Sequence, residues 1–400
     1  MANALLLENV HPLAESILSD AGLEVKCVSG AMDPAELARS LDGVQILGIR
    51  SKTEVTKEVL ESAPDLLAVG AFCIGTNQID LEIASERGIA VFNAPFSNTR
   101  SVVELAIAEI IALARRLTEK NKALHEGVWD KSATGAHEVR GRRLGIVGYG
   151  NIGSQLSVVA EALGMQVFFY DTVDKLALGN ARRCSTLNEL LDVAEVISLH
   201  VDGRSGNAGF FGAEQFARMR RRSLFLNLSR GFVVDYDALR ENILSGHIAG
   251  AAIDVFPHEP KARGDAFVSE LRGLPNVILT PHIGGSTEEA QEDIGRFVAG
   301  KVHDYVSFGS TTLSVNLPQL VADPDYTGRH RFTHLHRNIP GVLAEVNRIL
   351  AEHDVNIEGQ VLSTRGNLGY VVTDVGSGFA PEVLDALNAM KSTVRLRVIT

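Results

Sequence analysis

The sequence predicts an α/β protein in three parts: a flavodoxin-like parallel domain, a Rossmann-type doubly wound domain, and a ferredoxin-like βαββαβ domain at the C-terminal end. Three observations predict it. Strand and helix patterns alternate through residues 1–95, as in a parallel sheet covered by crossover helices. The run 144–171, LGIVGYGNIGSQLSVVAEALGMQVFFYD, places a glycine-rich turn between a buried strand and a helix. Residues 331–399 read strand, helix, strand, strand, helix, strand.

In the first part, apolar runs at 4–7, 25–28, 44–49, 66–69 and 90–92 are strands, separated by helical patterns such as 34–41 and 56–62. No phosphate-binding glycine pattern occurs here, so this part is not the cofactor half. Open parallel sheets bind ligands at the carboxyl ends of their strands. That rule selects Arg50, Ser51 and Lys52 after one strand and Cys73-Ile74-Gly75-Thr76 after another. Basic and small residues suit an anionic substrate; for Arg50 and Lys52 a solvated loop is the alternative.

Residues 98–126 follow as a helical stretch with Ser101 as N-cap. Val102, Leu105, Ala106, Ala108, Ile110, Ile111 and Leu113 spread around it, so it is expected to be buried on several sides, as an interdomain connector that also packs on a second subunit. An oligomer follows. Trp129, the single tryptophan, either anchors that interface or packs in the core.

In the second part Gly148, Gly150 and Gly153 have the G-x-G-x-x-G spacing. Gly148 permits a tight turn, Gly150 lets backbone approach a pyrophosphate, and Gly153 lets the helix pack on the strand. The helix N-terminus offers free N–H groups and a positive dipole end. Asp171, ending the next strand, can accept from both hydroxyls of an adenosine ribose and would repel a 2′-phosphate, so NAD is favoured over NADP. Strands at 196–199, 224–228, 249–253 and 277–280 alternate with helices at 187–192, 213–219 and 236–244. A helix at 286–306 returns the chain to the first domain, which is therefore discontinuous. The expected domains are 1–97 with 287–318, then 98–286, a linker at 319–328, and 329–400.

Composition bounds the partners. Four hundred residues with 45% apolar content can bury more than one core. A net charge of −11 without a basic block argues against nucleic acid, and the run RMRRR at 218–222 reads as a solvated last helical turn. No apolar run is long enough to cross a bilayer, and MANALLLENV lacks signal-peptide features, so a cytoplasmic location is expected. Cys27, Cys73 and Cys184 are too few and too scattered for disulfides or zinc and are expected as core thiols. His330, His334 and His336 alternate on a strand beside no Cys or carboxylate, so no metal is expected.

Three polar residues stand just after strand ends in the Rossmann part: Arg230 after FLNLS, Glu259 after AAIDVFPH, and His282 after VILTP. That shared address lies beside the nicotinamide end of a bound NAD. Oxidising a 2-hydroxy acid requires a cation for the carboxylate, an acid/base for the C2 oxygen and a nicotinamide to exchange hydride with C2. Arg230 supplies a bidentate fork; His282 supplies a proton near neutral pH, with Glu259 raising its pKa and orienting its ring. Singly, each has a plainer role, as a helix-capping cation, a solvated turn carboxylate and a turn histidine. Asp254 ends an apolar strand, where burial requires a partner; the nicotinamide carboxamide is one.

GYGNIG, LNLSRGFVVDYDAL, AAIDVFPHEP and LTPHIGGS, with CIGTNQID, FNAPFSNTRSV and RFTHLHRNIPGVLAEVNRIL, resemble the D-isomer-specific 2-hydroxyacid dehydrogenase family over essentially the whole chain. The resemblance implies Arg230, Glu259 and His282 as the catalytic set, with His282 the proton donor. It implies cofactor contacts at Asn151, Ile152, Asp171, Leu228, Ser229, Arg230, Asp254, His282, Ile283, Gly284 and Gly285, and substrate contacts at Arg50, Ser51, Asn98 and Arg230. The implied reaction is NAD-dependent oxidation of 3-phospho-D-glycerate to 3-phosphooxypyruvate, the first step of L-serine biosynthesis, with 2-oxoglutarate reduction as a side activity. A homotetramer is also implied, with a C-terminal ACT domain that binds L-serine through His336, Asn338 and Asn356. An ACT fold without a ligand is the alternative. Another D-2-hydroxy acid substrate, or a NAD-sensing binding protein on the same fold, are the rival functions; the intact Arg, Glu and His set speaks against the second. The chain departs from relatives at DGRSGNAG after Val201, at Arg221-Arg222 where Pro-Gly is usual, and at Gly328, single where some relatives have a pair.

Overall fold

Alternation of short apolar runs with capped helices produces, in the first hundred residues, a five-stranded parallel sheet. Its strands are β1 (Asn3–Leu6), β2 (Glu24–Cys27), β3 (Val44–Ile49), β4 (Ala68–Ala71) and β5 (Ala90–Asn93), in the order β2-β1-β3-β4-β5. This is the flavodoxin-like order. Helices α1 (Pro12–Asp20), α2 (Pro34–Ser40), α3 (Lys57–Glu61) and α4 (Leu81–Glu86) connect them. Proline opens α1 and α2, and Asp33 caps α2 by accepting from the N–H groups of Ala35 and Glu36 at 2.9 Å. Cys27 ends the edge strand β2 and is exposed, which corrects the core-thiol expectation there; Cys184 is buried, and burial pushes its thiol up to about 11. The structure is a computed structural model describing residues 3–260, 264–325, 330–376 and 380–399; the chain divides into two compact units, Met1–Ser97 with Gln291–Thr400, and Asn98–Ala290.

The second unit opens with two helices, α5 (Thr99–Arg115) and α6 (Leu117–His125), where the sequence suggests one stretch. Arg116 causes the break: its backbone is left-handed (φ 52°) and its guanidinium turns to Glu119 at 2.5 and 3.0 Å. Ser101 is not the cap; its hydroxyl lies inside α5 and pairs with Thr287 Oγ1 at 2.8 Å. Trp129 is 76% exposed in the chain, which rules out core packing.

A seven-stranded parallel sheet follows: β6 (Arg143–Val147), β7 (Gln166–Tyr170), β8 (Arg182–Arg183), β9 (Val196–Leu199), β10 (Ser223–Asn227), β11 (Ile248–Ile253) and β12 (Val277–Leu279). Its order is β12-β11-β10-β9-β6-β7-β8, the Rossmann pattern extended by one strand. Helices α7 (Asn151–Ala162), α8 (Leu187–Val193), α9 (Ala213–Arg218) and α10 (Tyr236–Leu244) join them, with apolar clusters on both faces. The run at 218–222 is not the last turn of a helix: α9 ends at Arg218, which pairs with Asp192 at 2.6 Å, Met219 is buried beyond it, and Arg222 is left-handed (φ 61°) in the turn before β10. Strand order reverses between β6 and β9. The carboxyl ends of those two strands define the switch point.

Helix α11 (Glu288–Phe308) belongs to the first unit from Gln291 onward. Its Ile294, Val298, Val302 and Tyr305 share a core with Leu6, Ala68 and Phe92. The chain then covers edge strand β5: Val315 N–H donates to Val91 O at 2.9 Å, while Asn316 accepts from Val91 N and donates to Ile89 O, both at 2.9 Å. That protects an edge otherwise open to pairing. Gly328 lies outside the described residues. The last segment is β13 (His330–Arg337), α12 (Val342–Glu352), β14 (Ile357–Arg365), β15 (Leu368–Val375), α13 (Pro381–Ala389) and β16 (Thr393–Ile399), an antiparallel sheet in the order β14-β15-β13-β16. It is the expected βαββαβ arrangement. Leu335, Leu368, Tyr370 and Val372 join the core that α11 shares with the first sheet. Arg331, 1% exposed, forms a bidentate pair with Asp374 at 2.6 and 2.8 Å and donates to the carbonyls of Phe308 and Asp323.

Candidate active site

The glycine-rich turn sits at the switch point. Gly148 (φ 92°) is required twice, by its backbone conformation and because a Cβ there would lie 2.5 Å from the carbonyl oxygen of His200, which follows β9. A Cβ at Gly153 would lie 2.2 Å from Gly148 O, whereas beyond Gly150 the space is open. The first bond within α7 runs from Ser154 N to Gly150 O at 3.0 Å. Asn151, Ile152 and Gly153 thus lead the helix with N–H groups that no turn of helix can satisfy. Asp171 accepts from Tyr149 N at 2.8 Å through one oxygen and from Val173 N at 2.9 Å through the other, so the carboxylate sits against the turn. A cradle too tight for side chains, free helix donors and a carboxylate at the next strand end fit a dinucleotide.

Sequence reasoning missed what braces this turn. Tyr149 is buried, stacks on Phe169 with ring centroids 3.7 Å apart, pairs with Ser157 Oγ at 2.7 Å and accepts from Leu178 N. Its place as the x of G-x-G, a large aromatic beside a tight turn, was the available signal. His200 is partly buried, with Nε2 paired to Ser198 Oγ at 2.8 Å; burial pushes it down to about 4, so it is neutral. The DGRSGNAG loop that follows is tied to itself: Asp202 pairs with Arg204 and accepts from Asn207 Nδ2 at 2.9 Å.

Arg230, Glu259 and His282 lie at the carboxyl ends of β10, β11 and β12 within one unit. The Arg230 turn is carried by Asn227, whose Nδ2 donates to Arg230 O and to Tyr236 Oη at 3.0 Å, while its Oδ1 accepts from the Ser229 N–H and hydroxyl. Tyr236 donates to Val255 O at 2.7 Å. This buried network links the Arg230 turn to the end of β11, and sequence pattern did not reveal it because its bonds join residues 9 and 19 apart in the chain. Contact is close: a Cβ on Gly231 would lie 1.9 Å from the Phe256 carbonyl carbon. Phe256 N–H in turn donates to Glu259 Oε1 at 3.1 Å. The arginine side chain donates to Ser229 O at 2.7 Å. Leu228 and Ser229 are buried below it.

His282 has a left-handed backbone (φ 55°), and its Nδ1–H donates to Glu259 Oε2 at 2.8 Å. That bond leaves Nε2 as the open nitrogen. The hydrogen bond to Glu259 raises the His282 pKa against the opposing effect of burial, helped by the charges of Glu259 and Asp254 and opposed by Arg230. Burial pushes the Glu259 carboxyl up, but the hydrogen bond and charge of His282 outweigh it and hold it below the usual value. Asp254, buried, has partners within the chain: it accepts from Thr280 Oγ1 at 2.7 Å and from the N–H groups of Ile283 and Gly284 at 2.8 Å. It therefore anchors the loop that carries His282. A Cβ on Gly285 would lie 2.3 Å from Asn98 Nδ2, so Asn98 also stands at this loop.

Arg50 and Ser51 follow β3 in the other unit. The Arg50 carbonyl accepts from Gln78 Nε2 at 2.6 Å and its N–H donates to Glu8 Oε1 at 3.2 Å.

The expected effector residues divide. His336 is buried on β13 opposite Gly369 and Thr393, its Nδ1–H donating to Arg337 O at 2.9 Å while Nε2 has no partner among the described residues. Asn338 donates to Gly366 O at 3.1 Å near the same end of the sheet. Asn356 precedes β14, whose Ile357 faces Val375 and through it His330. Six residues of strand, roughly 20 Å, separate it from His336. Among the described residues no group of three or more His, Cys, Asp or Glu could hold a metal ion, and no helix is long and apolar enough to cross a membrane.

Residues 107–284 match the family described as D-isomer specific 2-hydroxyacid dehydrogenase, NAD binding domain, and residues 332–395 match the AHAS small subunit-like ACT domain. The chain is 49% identical over 395 residues to D-3-phosphoglycerate dehydrogenase of Haemophilus influenzae, covering 98% of this chain and 96% of that protein. It is 48% identical over 398 residues to the enzyme of the same name from Escherichia coli K12, covering 99% and 97%. Among solved structures it resembles D-lactate dehydrogenase from Aquifex aeolicus complexed with NAD and lactic acid, with a TM-score of 0.66 and 28% identity over 76% of this chain and 95% of that one. With the glycine cradle, the Arg230, Glu259 and His282 set and the βαββαβ domain all in place, the chain belongs to the D-isomer-specific 2-hydroxyacid dehydrogenase family, on its D-3-phosphoglycerate dehydrogenase branch.

Proposed function

We propose that this protein is an NAD-dependent dehydrogenase that oxidises 3-phospho-D-glycerate to 3-phosphooxypyruvate, the first step of L-serine biosynthesis. The observation that carries the reading is the 2.8 Å bond between His282 Nδ1 and Glu259 Oε2 beside the Arg230 turn, in a chain nearly half identical to named D-3-phosphoglycerate dehydrogenases along its length.

Gly148, Gly150, Gly153 and the N–H groups of Asn151 and Ile152 hold the pyrophosphate of NAD, Asp171 its adenosine ribose, and the loop from His282 to Gly285 borders its nicotinamide. Bound NAD supplies the hydride acceptor. Arg230 clamps the substrate carboxylate, with Asn98 beside it, and Arg50 and Ser51 take the distal phosphate. His282 Nε2 accepts the C2 hydroxyl proton as C2 gives up its hydrogen with the bonding pair, so the alcohol becomes a ketone. Glu259 stabilises the imidazolium that forms and keeps Nδ1 protonated, so that Nε2 is the basic nitrogen. In the reverse direction the same nitrogen returns the proton, which also permits reduction of 2-oxoglutarate.

The ACT domain supports small-molecule regulation, and L-serine is the effector we infer. One chain holds His336 with Asn338 and Asn356 at opposite ends of a sheet, so a single serine can touch all three only where two copies meet. That accords with a homo-oligomer, expected as a tetramer, in the cytoplasm. The test is NAD reduction with 3-phospho-D-glycerate, D-glycerate and D-2-hydroxyglutarate in parallel, with and without L-serine. Phosphate-dependent turnover suppressed by serine is expected. Equal turnover with D-glycerate would move the assignment to another D-2-hydroxy acid, turnover indifferent to serine would remove the effector, and no turnover would favour a NAD-sensing binding protein.

A further inference from the structure

Glu8 follows β1 and is 8% exposed, an uncommon place for a carboxylate that, among the described residues, has no cationic side chain bonded to it. Its backbone and that of Asn9 are both left-handed, at φ 63° and 53°. Asparagine tolerates this conformation, but for a glutamate it is strained. The strain has a visible return. The turn carries the Glu8 carboxylate beneath the loop after β3, where Oε1 accepts from Arg50 N at 3.2 Å and Thr53 N at 2.8 Å, and Oε2 accepts from Lys52 N at 3.0 Å.

Three of the four N–H groups from Arg50 to Thr53 therefore end on one buried carboxylate, and only that of Ser51 is left. Such a loop cannot bind an anion as a backbone nest, because its donors already serve Glu8. It can do so through side chains, and the side chains are set by a backbone fixed from both sides: Glu8 holds the Arg50 N–H, and Gln78 donates to the Arg50 carbonyl at 2.6 Å. We infer that Glu8 is a positioning residue for substrate specificity, an internal counter-anion that shapes the loop 50–53 so that Arg50 and Ser51 recognise the phosphate of the substrate by side chain. This rests on the proposed function of the same loop.

The test compares wild type with Glu8→Gln. Glutamine keeps the size but turns an amide NH2 toward at least one of the three donors, where an acceptor is needed. Steady-state kinetics with 3-phospho-D-glycerate and D-glycerate are measured together with NAD affinity by calorimetry and the melting temperature. The expected result is a KM for 3-phospho-D-glycerate raised about tenfold or more, with NAD affinity unchanged, kcat within about threefold, and a correspondingly reduced preference for the phosphorylated substrate. If wild type itself shows no preference for the phosphorylated acid, the proposed substrate fails, whatever Glu8 does. If wild type shows the preference and Glu8→Gln retains both the KM and the preference, or loses kcat and NAD affinity in step with KM, the positioning role is overturned. Should Glu8→Gln not fold, Glu8→Asp, which keeps the charge but withdraws it by one methylene, is read by the same criteria.

Discussion

His282 Nδ1 and Glu259 Oε2 stand 2.8 Å apart on loops that end two adjacent strands, and the pair sets the protonation state of the histidine we propose as the base. Because the His282 pKa is raised chiefly by that hydrogen bond, its neutral, proton-accepting form is depleted as pH falls through the raised value. Alcohol oxidation should show an acid limb above the ordinary histidine value. Glu259→Gln should move this limb to lower pH and reduce kcat, and His282→Ala should reduce kcat by about 10²–10⁴-fold. A kcat/KM profile whose acid limb is the same in wild type and Glu259→Gln would refute the pairing.

Asp171 is committed through both oxygens to the N–H groups of Tyr149 and Val173, so it is held against the glycine turn before any ribose arrives. Asp171→Ala should raise the KM for NAD by about tenfold or more, the cost of one or two charge-assisted hydrogen bonds, and narrow the gap between NAD and NADP. Kinetics with both cofactors test this; an unchanged cofactor ratio would exclude the ribose role.

Glu109 lies on α5, is 3% exposed, and has no hydrogen-bond partner for either oxygen among the described residues. Burial, with the nearby charge of Asp254 adding to it, pushes its carboxyl up from 4.5 to about 8. Between those values the folded chain binds more protons than the unfolded one, so the stability this group contributes is present below the lower value and lost as pH rises through the upper. Glu109→Gln should therefore gain in melting temperature over wild type on going from pH 5 to pH 8, by the equivalent of a few kcal/mol. Parallel pH dependences would show that Glu109 is ionised throughout.

Arg331 and Asp374 form a bidentate pair inside the first unit. Removing one partner leaves a buried charge, so Asp374→Ala should cost about 3–5 kcal/mol, read as a lowered melting transition in calorimetry. Replacing both residues with apolar side chains should cost less. Equal losses for the single and double variants would show that the pair itself stabilises the fold.

Much of this was legible because chemistry and periodicity coincide. The G-x-G-x-x-G turn, the strand ends bearing Arg230, Glu259 and His282, and the βαββαβ order each follow from local pattern. What escaped were polar residues whose partners are distant in sequence. Glu8 meets a loop some forty residues away, Asn227 acts through Tyr236 and the end of β11, and Asp254 holds the loop of His282; nothing in their immediate neighbours declares those bonds. The break at Arg116 escaped for a different reason, because a left-handed arginine leaves the apolar pattern on either side nearly intact. Of the residues expected at the effector site, His336 and Asn338 share one end of a sheet and Asn356 lies at the other, a separation that only strand register reveals.

Helix α11 and the stretch through Asn316 complete the sheet begun at Asn3. Synthesis makes that sheet first and its cover only after the whole second unit. Roughly two hundred residues separate β5 from the segment that pairs with it, which at ~5–20 residues per second is about 10–40 s. During that interval Phe72, Phe92 and Ala68 have no Val298 or Tyr305 to bury them, while the intervening unit, continuous in sequence, can fold as it emerges. The whole middle unit is thus synthesised before the two ends can join, and a ribosome stalled before α11 would display an apolar sheet face for chaperones to bind.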